Sequence, residues 1–264
     1  MPALAIFGIT GRMGQSLLRA LHDTPAFRLS GAIASPHSGR LGQDAAGEGA
    51  LTGVLITADP ALGIRGASAA VDFSSSGSVA AHARACAAAG VPLLIGVTGL
   101  DAASRADVAQ AARDIPVLVA PNTSVGVSVV AKLVSTAALG LGPSFDVEIF
   151  EAHHRSKRDA PSGTALALGE AAAAARGRDL EEVAIYDRAG QSTPRAPGSI
   201  GFSSLRAGDI VGEHTVTFAA DGERVEITHR ATDRITFARG ALRAAEWLIG
   251  RPAGLYGMRN VLGL

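Results

Sequence analysis

Between Ala3 and Ala120, short unbroken apolar runs alternate with longer alanine-rich segments, and this alternation restricts the fold more than any other feature of the sequence. ALAIF gives way to GRMGQSLLRALHD, FRLSGAIA and AAVDFS precede SVAAHARACAAAG, and PLLIGVT follows. A strand with one wet face alternates apolar and polar residues, whereas an unbroken run suits a strand covered by helices on both faces. Strands are predicted at Leu4–Phe7, Leu29–Ala34, Ala69–Phe73, Pro92–Gly96 and Pro116–Ala120. Strands of this kind separated by helical stretches specify an α/β fold built on a Rossmann-type, doubly wound parallel sheet.

The rhythm changes after about Asn122. A helix predicted near Val127–Leu139 leads into FDVEIFEAHH, a second alanine-rich helix, and then alternating runs at His214–Phe218 and Arg224–His229 joined by the turn pair Asp221-Gly222. Alternation around an Asp-Gly pair is a hairpin signal. A second α+β domain with a largely antiparallel sheet is therefore expected over 124–233. The last helical pattern, with Phe237, Ala241, Leu242, Ala245 and Leu248 near helical spacing, is expected to complete the first domain, 1–123 with 234–264. The residues at the two crossings, Asn122–Ser124 and Thr232–Arg234, are the expected hinges.

Twenty-four Lys and Arg balance twenty-four Asp and Glu, so no broad basic field is available to gather nucleic acid or an anionic membrane surface. Any anion must be recognised locally. The single cysteine, Cys86, excludes an internal disulfide and a multi-cysteine metal site, and its alanine-rich flank marks it as buried filler. No metal is expected. The N-terminal residues lack the basic and apolar regions of a secretion signal, and no stretch approaches the ~20 apolar residues that span a bilayer, so a soluble cytoplasmic protein is expected.

Gly8-Ile9-Thr10-Gly11-Arg12-Met13-Gly14 lies between the first predicted strand and a helix. Glycines at such a turn let the backbone approach a pyrophosphate, and the helix start offers amide donors and partial positive charge. The competing reading is a tight turn with no ligand, since the spacing is G-x-x-G-x-x-G. Where an acidic residue would accept a bond from an adenosine ribose hydroxyl, the second strand ends instead in Ala34-Ser35-Pro36-His37-Ser38-Gly39-Arg40. Ser35, His37, Ser38 and Arg40 are all capable of donating to a phosphate, which leans the cofactor towards NADPH over NADH. Gly96-Val97-Thr98 and Ala120-Pro121-Asn122-Thr123 end two further strands, at the edge where open parallel sheets bind ligands.

Candidate chemistry concentrates in Glu151–Thr164, where seven of fourteen residues can carry charge. A charge run of this kind is commonly a solvated connection. Here the tandem His153-His154, Lys157 four residues after His153, and a Ser162-Gly163-Thr164 helix start favour an anion site instead. Ser162 is placed to cap the helix, the first-turn amides near Gly163 and Thr164 to receive a carboxylate, and a histidine suits proton transfer near neutrality. If the strand runs straight through the histidines, His153 and Lys157 face one way and His154 the other, so convergence requires a bend, expected after Arg155.

E-A-H-H-R-S-K-R-D-A-P-S-G-T-A resembles the signature region of the 4-hydroxy-tetrahydrodipicolinate (dihydrodipicolinate) reductases. The likeness extends from the glycine turn through GVTG, PNTSVGV and RAGDIVGEHTV to the C-terminal MRNVL. It implies NAD(P)H-dependent reduction of a cyclic dicarboxylate on the diaminopimelate route to lysine, and a homotetramer. By the same resemblance His153 handles a proton, and Lys157 donates a proton and contacts substrate. His154 then binds substrate, while Gly163 and Thr164 seat a carboxylate. Cofactor contacts fall on Gly8, Ile9, Thr10, Gly11, Arg12, Met13, Gly96, Val97, Thr98, Ala120, Pro121, Asn122 and Thr123. Family members often carry an acidic residue followed by arginine where this chain has Ala34 and Ser35, so the choice between NADH and NADPH rests on those two positions. A nucleotide-sensing regulator without turnover is the alternative, but it has no need of a titrating group beside a carboxylate seat. A serine hydrolase does not fit, because neither Ser75 nor Ser162 lies in G-x-S-x-G.

Overall fold

Every residue of the first strand, β1 (Ala3–Phe7), is buried, because its two faces serve two different cores. Leu4 and Ile6 join one apolar cluster and Ala5 and Phe7 another. The computed structural model describes all residues except 24–25, 48–50 and 191. The chain divides into one unit comprising Met1–Val125 and Arg234–Leu264, and a second comprising Gly126–Asp233.

In the first unit β1 is followed by α1 (Arg12–Asp23), β2 (Arg28–Ile33), β3 (Ile56–Thr57), α2 (Pro60–Gly63) and β4 (Ala69–Asp72). Next come α3 (Ser76–Ala89), β5 (Leu93–Ile95), α4 (Ala102–Ala111) and β6 (Pro116–Val119). The five predicted strands correspond to β1, β2, β4, β5 and β6. They form a parallel sheet with β3 at one edge and, at the other, β12 (Gly254–Tyr256), which arrives from the C-terminal segment. Those two edge strands are two and three residues long, too short to give a periodic signal. Cys86 lies on α3 with no solvent exposure, and burial pushes its thiol pKa up, away from reactivity.

The second unit begins in α5 (Val125–Leu141) and continues through β7 (Asp146–His153), α6 (Gly163–Ala175), α7 (Leu180–Val183) and β8 (Ala184–Ile185) to β9 (Ile200–Arg206), β10 (Gly212–Ala220) and β11 (Glu223–Ala231). Its five-stranded sheet runs β11-β10-β7-β9-β8. The expected antiparallel pairing holds for β11-β10-β7, while β9 pairs in parallel with both β7 and β8. The sheet is therefore mixed, since the connection containing α6 returns the chain to the same end of the sheet before β9 starts. Val130, Val134, Ile149, Leu168, Phe202, Val216 and Phe218 build its core between helices and sheet. The chain then re-enters the first unit as α8 (Ile235–Leu248), and α9 (Met258–Leu262) follows β12. Ala241, Leu242, Ala245 and Leu248 are buried in the β1 cluster as the pattern predicted, whereas Phe237 is only partly buried. Among the described residues, no helix is long and apolar enough to cross a membrane.

Candidate functional site

Strand alternation puts Glu151 and His153 on the same face of β7, and both are buried. Register then adds the neighbours. His214 on β10 and Ser204 on β9 stand opposite Glu151, and Arg206 stands opposite His153. The Glu151 carboxylate accepts from His153 Nδ1 at 2.6 Å, from Arg206 Nη1 and Nη2 at 2.8 and 2.7 Å, and from the Ser162 amide at 3.2 Å. Burial alone would favour the neutral acid, but hydrogen bonds from Arg206, Ser204 and His153 outweigh it and hold Glu151 down at about 2.

His153 responds mainly to desolvation, which lowers its pKa below the ordinary imidazole value; Glu151 opposes this, while Lys157 and Arg206 reinforce it. The shift favours the uncharged ring. His214 stands edge-on to it, with ring centroids 5.1 Å apart, and burial pushes His214 down to about 3. Its Nε2 lies 2.9 Å from Ser162 Oγ, which also accepts the Ala165 amide at 3.1 Å and so caps α6 as predicted.

β7 ends at His153 and a turn occupies Arg155-Ser156, which supplies the bend required of the sequence. The Lys157 amide closes this turn onto the His154 carbonyl at 3.1 Å, and Lys157 Nζ meets Asp159 at 2.9 Å. Arg206 Nη2 also reaches the Asp159 carbonyl at 2.6 Å, so one guanidinium ties the loop to Glu151. Gly163 is exposed and Thr164 half-buried at the positive end of α6. The result is an imidazole backed by a charged carboxylate, with a lysine and a helix N-terminus in the same unit, an arrangement with the chemical means to move a proton and to receive an anion. Glu151, Arg206 and His214 were not singled out in the sequence. The spacing of two between Glu151 and His153 on a strand was a usable signal. Arg206 and His214 lie 55 residues from Glu151 and 52 from Ser162, and only the strand register reveals them.

In the first unit, Gly8 sits at φ +78°, and a Cβ there would stand 2.6 Å from the Phe73 carbonyl oxygen. A Cβ on Gly14 would stand 2.4 Å from the Gly8 carbonyl oxygen, so helix α1 packs onto the turn only through glycine. Gly8, Thr10 and Gly11 line a pocket of about 310 Å³ with Ala34, Ser35, Ser74 and His82. His82 Nδ1 meets the fully buried Asp72 at 2.8 Å and its ring stacks on Phe7, a pair the sequence did not suggest. The glycine turn, helix start and a pocket of mixed polar and apolar lining suit half of a dinucleotide. Ile9 is fully buried, while Arg12 is exposed and Met13 half-buried at the start of α1.

Gly96, Val97 and Thr98 follow β5, and Ala120, Pro121, Asn122 and Thr123 follow β6, at the carboxyl edge of the sheet. Thr123 is buried and its hydroxyl donates to the Phe237 carbonyl at 2.7 Å, so its side chain ties β6 to α8. Nη2 of Arg40, a candidate phosphate donor, donates to the carbonyls of Asp44 and Ala45 at 3.1 and 3.3 Å. The hydroxyls of Ser35 and Ser38 accept the amides of His37 and Arg40.

Residues 3–123 match the family model described as dihydrodipicolinate reductase, N-terminus, and residues 126–262 match the one described as dihydrodipicolinate reductase, C-terminus. The chain belongs to the dihydrodipicolinate reductase family. A 4-hydroxy-tetrahydrodipicolinate reductase of Thiobacillus denitrificans is 52% identical over 99% of this chain and 98% of that protein. One from Anaeromyxobacter dehalogenans is 51% identical over 100% and 98%. In structure, the dipicolinate-bound dihydrodipicolinate reductase of Paenisporosarcina sp. TG-14 superposes with a TM-score of 0.76 at 23% identity, covering 98% of this chain and 99% of that one. An amine dehydrogenase of Mycobacterium smegmatis, at 14% identity and a TM-score of 0.64 over 96% and 94% of the two chains, shares the fold. This reductase family is pyridine-nucleotide dependent, in keeping with the glycine turn and the parallel sheet.

Proposed function

We propose that this reductase converts 4-hydroxy-tetrahydrodipicolinate to tetrahydrodipicolinate, consuming one NAD(P)H and one proton and releasing water, on the diaminopimelate route to lysine. The observation that carries the reading is the Glu151–His153 pair at 2.6 Å, in one unit with Lys157 and the capped start of α6. A dicarboxylate needs two anion seats and the reaction needs a proton, and these residues supply all three.

In this reading His153 is the proton donor, recharged at Nε2 from solvent while Nδ1 stays on Glu151. Lys157 holds one carboxylate and contributes to proton delivery. Its present partner Asp159 is 60% exposed, so substrate exchanges for Asp159 at little electrostatic cost. The amides at Gly163 and Thr164 seat the second carboxylate, and His154 adds a substrate contact. The unit comprising Met1–Val125 and Arg234–Leu264 is assigned to the dinucleotide and Gly126–Asp233 to the substrate. When bound, the nicotinamide supplies the hydride. Gly8 to Met13 hold the phosphates, and Gly96–Thr98 and Ala120–Thr123 border the nicotinamide, with Thr123 contributing backbone only.

No acidic side chain stands at Ala34 or Ser35, and Arg40 has one guanidinium nitrogen engaged within its own loop. The absence of carboxylate repulsion retains a lean to NADPH. Assembly as a homotetramer, in a cytoplasmic setting, completes the reading. Phe150 and Leu205, 41% and 39% exposed on neighbouring strands, favour a partner over that sheet face. Light scattering at micromolar concentration tests this, and a monomer would refute the tetramer.

Turnover is tested by generating the unstable substrate in situ with the preceding synthase and following nicotinamide absorbance with each cofactor. Oxidation with at least one is expected; none with either refutes the reductase reading.

A further inference from the structure

We infer that Glu151 is a positioning residue that fixes which ring nitrogen of His153 carries the transferable proton, and that Arg206 holds Glu151 in the orientation to do so. The inference deepens the reductase reading and rests on it wherever turnover is the readout.

A neutral imidazole has two tautomers, and the partner of one nitrogen selects the chemistry of the other. Here Nδ1 faces a carboxylate oxygen at 2.6 Å. An ionised carboxylate only accepts, so the ring proton belongs on Nδ1 and Nε2 is left to take up and release the proton that reacts. Both oxygens of Glu151 are gripped by Arg206 at 2.7 and 2.8 Å, a two-pronged geometry that fixes the carboxylate plane. The oxygen away from His153 also takes the Ser162 amide at 3.2 Å, so the residue that orients the imidazole is tied to the cap of α6, next to the carboxylate seat.

The surroundings of Nε2 fit this assignment. A Cβ on Gly212 would stand 3.1 Å from Nε2, so that nitrogen lies beside a strand position with no side chain. The titratable and charged groups that bear on His153 are Glu151 from its own strand, Lys157 from the following loop, Arg206 from β9 and His214 from β10. His214 contributes its ring edge and no charge at neutral pH. Glu151 is the one of these four that stabilises the imidazolium formed when Nε2 gains a proton. A purely structural Glu151, present to hold Arg206 and the Asp159 loop, would leave the tautomer and the pH profile untouched.

Nitrogen-15 NMR of histidine-labelled wild-type protein, with the His153 signals identified by their loss in His153→Gln, reads the tautomer without turnover. The Nδ1-protonated form is expected; the Nε2-protonated form overturns the inference. In the coupled assay, Glu151→Gln is expected to lower kcat by ~10²–10⁴-fold, because an amide can donate to Nδ1 and select the wrong tautomer. KM should change by less than about threefold, and the fall of kcat at alkaline pH should move down by roughly one pH unit as the imidazolium loses its partner. Glu151→Asp should recover part of kcat. Unchanged kcat and pH profile in a folded Glu151→Gln protein also overturn the inference. If that variant does not fold, the wild-type tautomer decides. Wild-type protein that oxidises neither cofactor refutes the reductase reading alone, since the tautomer is measured independently.

Discussion

His153 and Lys157 carry different duties at the residue scale, and substitution separates them. His153→Ala removes a proton donor, which typically costs ~10²–10⁴ in rate, and should leave NADPH affinity near wild type because the dinucleotide is assigned to the other unit. Near-normal turnover would remove His153 from the chemistry. Lys157→Ala should raise the substrate KM and lower kcat together, since the same ammonium supplies charge and contributes to proton delivery. Cofactor choice is also decided by single residues. Ser35 lines the pocket beside the glycine turn and Arg40 is engaged within its own loop. Ser35→Glu should therefore create an acceptor for a ribose hydroxyl and repel a 2′-phosphate. We expect kcat/KM with NADPH to fall at least about tenfold while that with NADH holds or rises, a difference of roughly 1.4 kcal/mol or more in transition-state binding. Equal losses with both cofactors would show that Ser35 lies away from the ribose.

Among the elements, α6 was the most legible part of the site and β7 the least. Ser162 precedes a run of strong helix formers, so its capping role is local and readable, and its hydroxyl does accept the Ala165 amide. The central parallel strands were equally readable because their unbroken apolar runs reflect burial on both faces. β7 shows why the rest was hidden. Its functional partners come from β9 and β10, and only pairing register brings Arg206, Ser204 and His214 to Glu151. Sequence spacing carries no register across 50 residues or more. Arg40 illustrates a related limit: spacing places an arginine near a candidate phosphate site but does not show that one of its guanidinium nitrogens is held by the carbonyls of Asp44 and Ala45. The double duty of Ser162 yields a test at this scale. Ser162→Ala removes a helix cap, at ~1 kcal/mol, and strips His214 Nε2 of its buried partner, at about 1–3 kcal/mol. Urea unfolding should show the summed loss, and the substrate KM should rise as the start of α6 frays. Unchanged stability would mean that water replaces the hydroxyl at no cost.

For the molecule as a whole, balanced charge leaves little global repulsion near neutral pH, so above the carboxylate range the pH dependence of stability falls to individual buried groups. Four of them share the sheet of the second unit: His153, His214 and His229, each lowered chiefly by desolvation, and Glu151, lowered by its hydrogen bonds in spite of burial. A lowered pKa means that the unfolded chain takes up a proton which the native protein refuses, so stability falls as pH falls. The histidines set the upper window. Stability is complete above the ordinary imidazole value of about 6.5 and declines below it, for His214 down to about 3. Glu151 adds a second decline below about 4.5, ending at about 2. Urea midpoints measured from pH 8 to pH 4 should therefore be level at first and then drop, with the bend near pH 6.5 rather than in the carboxylate range. His214→Gln keeps a polar group beside Ser162 but cannot titrate, so its curve should be flatter between pH 6.5 and 5 even if it starts lower at pH 8. A variant curve parallel to wild type through that window would show that His214 takes up its proton in the native state, and would place the origin of acid sensitivity elsewhere in the sheet.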